Sequence, residues 1–389
     1  MSGGGFRADY GPNTFLKAAG LLAAGLILFV LAALQLLLFY RAAGGAVRFL
    51  MASVAALSVV PFYAGLIVLL DRHEKEPGWL LLGALLWGGV VATFASLILN
   101  TLGGEILRAL FGPQLGDKLT GPLVAPVVEE TSKGLAVLLI FLLWRGEFTN
   151  TLDGIVYGAL AGLGFAATEN ILYFARAARE GGAAGLAVTF IFRAILGGFG
   201  HSVYTACTGA GLGYLRESRH PARFVAPFLG YGCAMFLHFL WNFSATFAVP
   251  FVARTAGGGI TLLVLPAMAL LLEWTPLALL LGIAYFTWKR ELAAIREGLQ
   301  DEVQTGFIPP EELQVLTSPR ERRRRLWSAL TSRGLAAWNT LRELYDAEVD
   351  LAFALWRQKR GEPQNRQLQQ LRDRVQHLRE RAAALKVTA

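Results

Sequence analysis

Residues 18–40, 49–70 and 77–100 contain no Asp, Glu, Lys or Arg. Each run reaches the ~20 mostly apolar residues that a helix needs to cross a bilayer. In lipid a backbone must satisfy its own polar groups, so runs of this kind fold as helices rather than open strands. Four further stretches, 119–144, 154–175, 186–215 and 224–253, carry few ionisable groups, and 255–288 is interrupted only by Glu273. The pattern predicts an all-α fold, a polytopic membrane helix bundle of eight transmembrane helices. The first run is too long and too gently flanked for a cleaved signal peptide and reads as a retained span.

Charge divides the chain. The first 288 of the 389 residues hold 17 basic and 14 acidic side chains, whereas the last 101 hold 19 and 14. About a quarter of a soluble domain is charged; the body falls far below that and the tail lies above it. The expected division is a transmembrane domain at 1–288 and a soluble, cytoplasmic helical extension at 289–389. Pro309-Pro310 followed by Glu311-Glu312 suits a helix start. Leu368, Leu371, Val375, Leu378, Ala382 and Leu385 recur at spacings of three and four, a seam expected to pack back on the preceding helix. Arginines cluster between Arg320 and Arg325, where they could meet lipid headgroups or a solvated face.

The net charge of +8 splits as +3 in the body and +5 in the tail; because the basic residues flank membrane segments, an anionic membrane surface is the expected partner rather than nucleic acid. Eleven Lys/Arg in the connections on the N-terminal side, against seven on the other, place both termini in the cytoplasm of a multi-pass cell-membrane protein. Cys207 and Cys233 both lie in apolar stretches and offer neither a disulfide framework nor a CxxC metal site.

An ionisable group in a span costs at least ~2.5–3.5 kcal/mol, so it faces the bundle interior and often marks function. Here such groups cluster. The fourth span contains Glu129-Glu130-Thr131-Ser132-Lys133, with Lys133 able to reach either carboxylate on one helix face. The fifth carries Glu169 and Asn170 beyond a Gly162-Leu163-Gly164 stretch. The sixth holds Arg193, His201, Ser202 and Thr205, and the seventh His238 and Asn242, four apart on one face. At 1.5 Å per residue, Glu129 and Glu169 lie ~10 Å, and the histidines ~15–20 Å, from the same membrane face. Asp153, just before the fifth span, is expected to cap its helix.

Paired carboxylates, two imidazoles and an amide at similar depth suit hydrolysis. In one scheme His201, His238 and a glutamate, Glu130, ligate a divalent metal such as zinc and leave a position for water. In the other, without metal, Glu129 or Glu130 with His201 activates water, while His238 and Asn242 donate to the oxyanion. Catalytic candidates are Glu129, Glu130, His201, His238 and Asn242, supported by Lys133, Glu169, Asn170 and Arg193. The spacing does not choose between the schemes. Buried Glu and His chains also serve proton relays, so a proton-coupled transporter is the alternative class, although no internal repeat is evident. A scaffold holding partners through the tail is a third.

Glu129-Glu130-Thr131-Ser132-Lys133 resembles the EExxK motif of the PrsW family of intramembrane proteases. Gly164-Phe165-Ala166 through Glu169-Asn170 and Tyr173, His201, and His238 to Asn242 are similar to its later blocks, as is Asp71 to Pro77 after the second span. The similarity covers roughly residues 60–290 and leaves the tail outside. It implies an intramembrane endopeptidase acting on a membrane protein, with site-1 cleavage of an anti-sigma factor as the family's best-known activity. The CAAX prenyl endopeptidase and Abi group is more distantly similar through paired Glu and His-x-x-x-Asn. Its usual Arg is replaced here by Lys133, one place earlier, a departure from that pattern; a CAAX-type prenyl endopeptidase is the alternative that this resemblance implies.

Overall fold

The computed structural model describes residues 12–71, 75–256, 258–361 and 365–386. Arg72, His73 and Glu74 of the segment before Pro77, and Glu362 and Pro363 of the break in the tail, lie outside them. Among the described residues all regular structure is helical. The chain forms two compact units: one comprises residues up to Leu70 and Pro77–Leu280, the other Asp71–Glu76 and Leu281–Ala389.

The first unit contains α1 (Pro12–Ala43), α2 (Ala46–Ser58), α3 (Val60–Val68), α4 (Gly78–Leu86), α5 (Thr93–Phe111), α6 (Pro113–Leu119), α7 (Ala125–Leu143), α8 (Thr151–Phe190), α9 (Gly200–Glu217), α10 (Ala226–Phe243), α11 (Val249–Thr255), α12 (Gly258–Ala269) and the start of α13 (Thr275–Gln304). Among the described residues, six helical stretches are long and apolar enough to cross a membrane: Gly25–Ala43, Ala46–Val68, Gly78–Phe111, Thr151–Glu217, Ala226–Thr255 and Pro266–Gln304. Large apolar side chains such as Phe29, Val47, Phe228 and Leu279 face outward. A surface of this kind suits lipid rather than water. The helix α7 is missing from the six because Glu129, Glu130 and Lys133 lie along it.

Helix α8 is the axis of this unit, with nearly every residue from Thr151 to Phe165 buried. Its start is fixed by a capping box. The Asn150 side chain accepts from the Leu152 and Asp153 amides, and Asp153 Oδ2 accepts from the Asn150 amide at 3.0 Å. Asn150 is therefore the cap, and Asp153, expected in that place, is the reciprocal partner three residues on. Gly158 and Gly162 bring α9 against α8. A Cβ on Gly162 would stand 2.1 Å from the His201 carbonyl oxygen, and one on Gly158 2.5 Å from that of Thr205. Small residues at this spacing let membrane helices approach closely, and here they hold the His201 turn of α9 against the Glu169 helix.

Among the described residues, five π-helical turns interrupt the helices of this unit, at Trp87–Ala92, Thr120–Val124, Ile191–Leu196, Ser244–Ala248 and Leu270–Trp274. A π-turn inserts a residue into the helical register and is frequent at functional sites. Four of these turns contribute residues to one cavity, described below.

The second unit packs the end of α13 with α14 (Pro310–Leu316), α15 (Pro319–Arg333), α16 (Leu335–Lys359) and α17 (Asn365–Ala384). The seam residues Leu368, Val375, Leu378 and Ala382 are buried in a core with Leu344, Val349, Leu351 and Leu355 of α16, as the spacing predicts. In the arginine cluster, Arg322 bonds to Asp346, which also pairs with Lys75, and Arg324 and Arg325 pair with Glu321. Most of that cluster is thus engaged within the unit.

Glu348 is fully buried in this unit, beside Glu312, and Arg379 donates to both carboxyls. Burial pushes the Glu348 carboxyl well above the ordinary glutamate range, and the neighbouring Glu312 carboxyl pushes it the same way. A raised acid binds its proton more tightly in the folded state. Its stabilising contribution is complete below the ordinary glutamate range and is lost as pH rises through the raised value. Glu348→Gln is therefore expected to flatten the alkaline fall in thermal stability of this unit. Parallel melts of both proteins from acidic to alkaline buffer measure it, and superimposable pH profiles would contradict it.

Candidate active site

The polar core begins on α7. Pro126, in its first turn, needs no backbone donor there. Adjacent residues on a helix point ~100° apart, so Glu129 and Glu130 take different neighbours. Glu130 Oε1 accepts from Lys133 Nζ at 2.5 Å and from His238 Nδ1 at 2.9 Å, and its Oε2 accepts from Thr205 Oγ1 at 3.0 Å. Both Glu130 and Lys133 are 0% exposed. Of the two carboxylates open to Lys133 in the sequence, the structure joins it to Glu130. The adjacent Glu129 Oε1 accepts from Asn100 Nδ2 at 3.0 Å, while its Oε2 is buried with no hydrogen-bond partner and lies 3.8 Å from His238 Nε2.

The hydrogen bonds assign the imidazole protons. Lys133 Nζ, a donor only, lies 3.0 Å from His201 Nδ1, so that nitrogen accepts. The proton of His201 then sits on Nε2 and is donated to Glu169 Oε2 at 3.1 Å. His238 donates from Nδ1 to Glu130, which leaves the Nε2 lone pair facing Glu129. The two rings stand edge to face, 5.1 Å between centroids, with Tyr204 stacked on His238 at 5.4 Å.

Arg193, from the Ile191–Leu196 π-turn, anchors α8. Its guanidinium donates to Glu169 Oε2 at 2.5 Å and to Asn170 Oδ1 at 2.8 Å, and lies over the Tyr173 ring at 3.6 Å. Asn242 donates from Nδ2 to the Gly121 carbonyl in the Thr120–Val124 π-turn at 2.9 Å. An amide nitrogen carries two N–H bonds, so this contact uses one of them.

These groups surround a cavity of about 350 Å³. Glu129, Glu169, Asn170, Arg193, His201, His238 and Asn242 line it, whereas Glu130 and Lys133 stand behind the lining. Glu129 and Glu169 also border a second cavity of about 370 Å³, which runs past Ser96 and Thr101 to the exposed charges Glu105, Arg108 and Asp117. The residues singled out in spans four to seven therefore converge. Three contributors are harder to read from sequence. Asn100 closes an uncharged run and shows only as an amide at its edge. Tyr204 looks like any aromatic residue in a span. Glu273, the isolated acid of the last run, is buried and lines the same cavity.

Glu129, His201 and His238 each offer one ligand atom, and the three atoms lie within 4.8 Å of one another. One carboxylate and two imidazoles make a donor set of the kind that holds a catalytic metal with a position left for water. The unpartnered Glu129 Oε2 and the free His238 Nε2 fit such an ion. The group takes in Glu129 and not Glu130, the carboxylate named from sequence, both of whose oxygens are engaged by Lys133, His238 and Thr205.

A family model described as PrsW family intramembrane metalloprotease matches residues 76–272, which include every residue named at the site except Glu273. Neither a curated protein nor a solved structure matches the chain.

Proposed function

The chain belongs to the PrsW family of intramembrane metalloproteases, and from that membership we propose that it hydrolyses a peptide bond of a membrane-protein substrate at the Glu129–His201–His238 cluster. The observation that carries the assignment is Glu129 Oε2, buried without a hydrogen-bond partner and aimed at His238 Nε2, in a residue that lines a polar cavity. Glu129, His201 and His238 would hold a divalent metal such as zinc. A metal bound there supplies an acidified water and polarises the scissile carbonyl. Glu130, clamped by Lys133 and Thr205, holds His238 in the tautomer that presents Nε2. Glu169, fixed by Arg193, which also donates to Asn170, orients His201 from the other side. The second N–H of Asn242 donates to the oxyanion. Water reaches Glu129 along the cavity that leads to Arg108.

One observation favours a metal-free variant. Both His201 nitrogens are engaged, with Lys133 and with Glu169. In that variant Glu129 takes the proton of water directly and His201 keeps its present bonds. Metal analysis of the purified full chain, with cleavage of a single-span substrate in proteoliposomes, separates the two. Stoichiometric zinc that is lost in His238→Ala, with cleavage abolished by chelation and restored by zinc, supports the metal site. Undiminished cleavage by metal-free protein supports the variant. A folded wild type that cleaves no membrane-protein substrate would remove the protease reading.

Eight crossings suit the helices: the six apolar stretches, α7, and a second crossing within Thr151–Glu217. That stretch has 67 residues, ~100 Å of helix at 1.5 Å per residue and far beyond a bilayer core of ~30 Å. Gly182, at φ 63°, interrupts it. The count of basic residues in the connections puts both termini in the cytoplasm, which makes the helical unit that begins in α13 a soluble extension. A membrane-anchored anti-sigma factor is the substrate suggested by the motif resemblance.

A further inference from the structure

Glu273 has no part in the chemistry above, yet it is 2% exposed and faces the same cavity. It sits in the Leu270–Trp274 π-turn, just before Pro276, and Trp274 pins that turn by donating to the Leu196 carbonyl at 3.1 Å. Its Oε1 lies against the Gly197–Gly200 turn: a Cβ on Gly200 would stand 2.8 Å from it, and one on Gly197 3.4 Å. A side chain at Gly200 would make the carboxylate move from its present place. Oε2 is buried without a hydrogen-bond partner, and so is the nearby Tyr204 hydroxyl.

The charges around the cavity do not balance. Glu129, Glu130, Glu169 and Glu273 are four carboxyls, and the fixed cations are Lys133 and Arg193. Lys133 is committed to Glu130 and Arg193 to Glu169. Glu129 is answered by the two histidines and by the metal they would hold. Glu273 forms no ion pair of its own among the described residues; the Arg193 charge reaches it only from its place on Glu169. An uncompensated buried carboxylate is costly, whereas an arriving ammonium or guanidinium would find both an ion partner and, in Tyr204, a hydroxyl.

We propose that Glu273, with the Tyr204 hydroxyl and the Gly197–Gly200 turn, forms a specificity subsite that takes a lysine or arginine side chain of the substrate next to the scissile bond. This rests on the protease reading of the neighbouring cluster. Basic residues concentrate at the ends of membrane spans, where their long stems let the charge leave lipid, so such a side chain is available where a span enters the site.

The test scans Lys, Arg, Leu and Gln through the positions flanking the cleavage site of a single-span reporter, in proteoliposomes holding the full chain. Wild type is expected to prefer Lys or Arg over Leu at one position. Glu273→Gln should lower that preference by at least about tenfold, as when one partner of a buried charge pair is removed. Gly200→Ala should weaken it by displacing the carboxylate. A preference that survives in Glu273→Gln, no basic preference in wild type, or a loss that falls equally on Lys and Leu reporters overturns the subsite. Butylammonium provides a readout without cleavage. It should raise the melting temperature of wild type more than butanol does, and lose that advantage in Glu273→Gln. Equal shifts by the two probes in wild type overturn the subsite even if cleavage is seen. A Glu273-dependent shift without any cleavage would instead support the cation site and count against the protease reading.

Discussion

Glu129→Gln is expected to lower cleavage of a reconstituted membrane-protein substrate by at least ~10²-fold, the lower end for a positioned acid–base group, because it removes the oxygen that would hold the metal or, without metal, take the proton of water. The variant should otherwise be benign. Gln keeps the shape of Glu, and its amide oxygen can still accept from Asn100 Nδ2 in the place of Oε1. What it loses is the negative Oε2, the atom that is buried without a hydrogen-bond partner and faces His238 Nε2. Fold and activity should therefore separate. Melting in detergent should match wild type, and the single-turnover cleavage rate should collapse. Wild-type cleavage by a folded Glu129→Gln protein would mean that Glu130 or Glu169 acts on water, despite their bonds to Lys133 and Arg193.

Lys133→Met is expected to behave in the opposite way, with stability failing first. The ammonium is fully buried, donates to Glu130 and His201, and lies 4.6 Å over the Phe165 ring. Methionine fills similar space without charge. Glu130 then keeps only Thr205 and His238 as partners. Breaking a buried pair by removing one partner costs ~3–5 kcal/mol, because the other charge stays buried. Thermal unfolding in detergent measures this directly. Adding Glu130→Gln to Lys133→Met should restore part of the loss, since it removes the orphaned charge. Failure of the double variant to gain on the single one would show that Lys133 acts through His201 or Phe165 instead.

Much of the site can be read from sequence because of the solvent. In a span, a Glu, Lys or His stands against an apolar background, and its cost alone singles it out. The four motif-bearing spans contribute in this way, and the depth estimate brings Glu129, Glu169 and the histidines to one level. Glu273 is conspicuous by the same criterion, but composition cannot say which way it points. The π-turn at Leu270–Trp274 aims it inward, and no run of apolar residues reports such a turn. Asn150 and Asp153 illustrate the limit on a smaller scale: both are good capping residues, and backbone geometry makes Asn150 the cap.

Sequence alone determined the solvent, the helical class and the set of polar side chains that must find partners inside the bundle. Those follow from the cost of charge and of unpaired backbone in lipid, which acts on every residue regardless of its neighbours. The tertiary structure decided the pairing. Lys133 can reach either glutamate along its own helix; Thr205 and His238, from two other helices, gather on Glu130 with it. Glu129 is thereby left with a free oxygen among two imidazoles. Which of two adjacent carboxylates is held and which is free depends on contacts made across helices far apart in the chain, and local spacing does not carry that information.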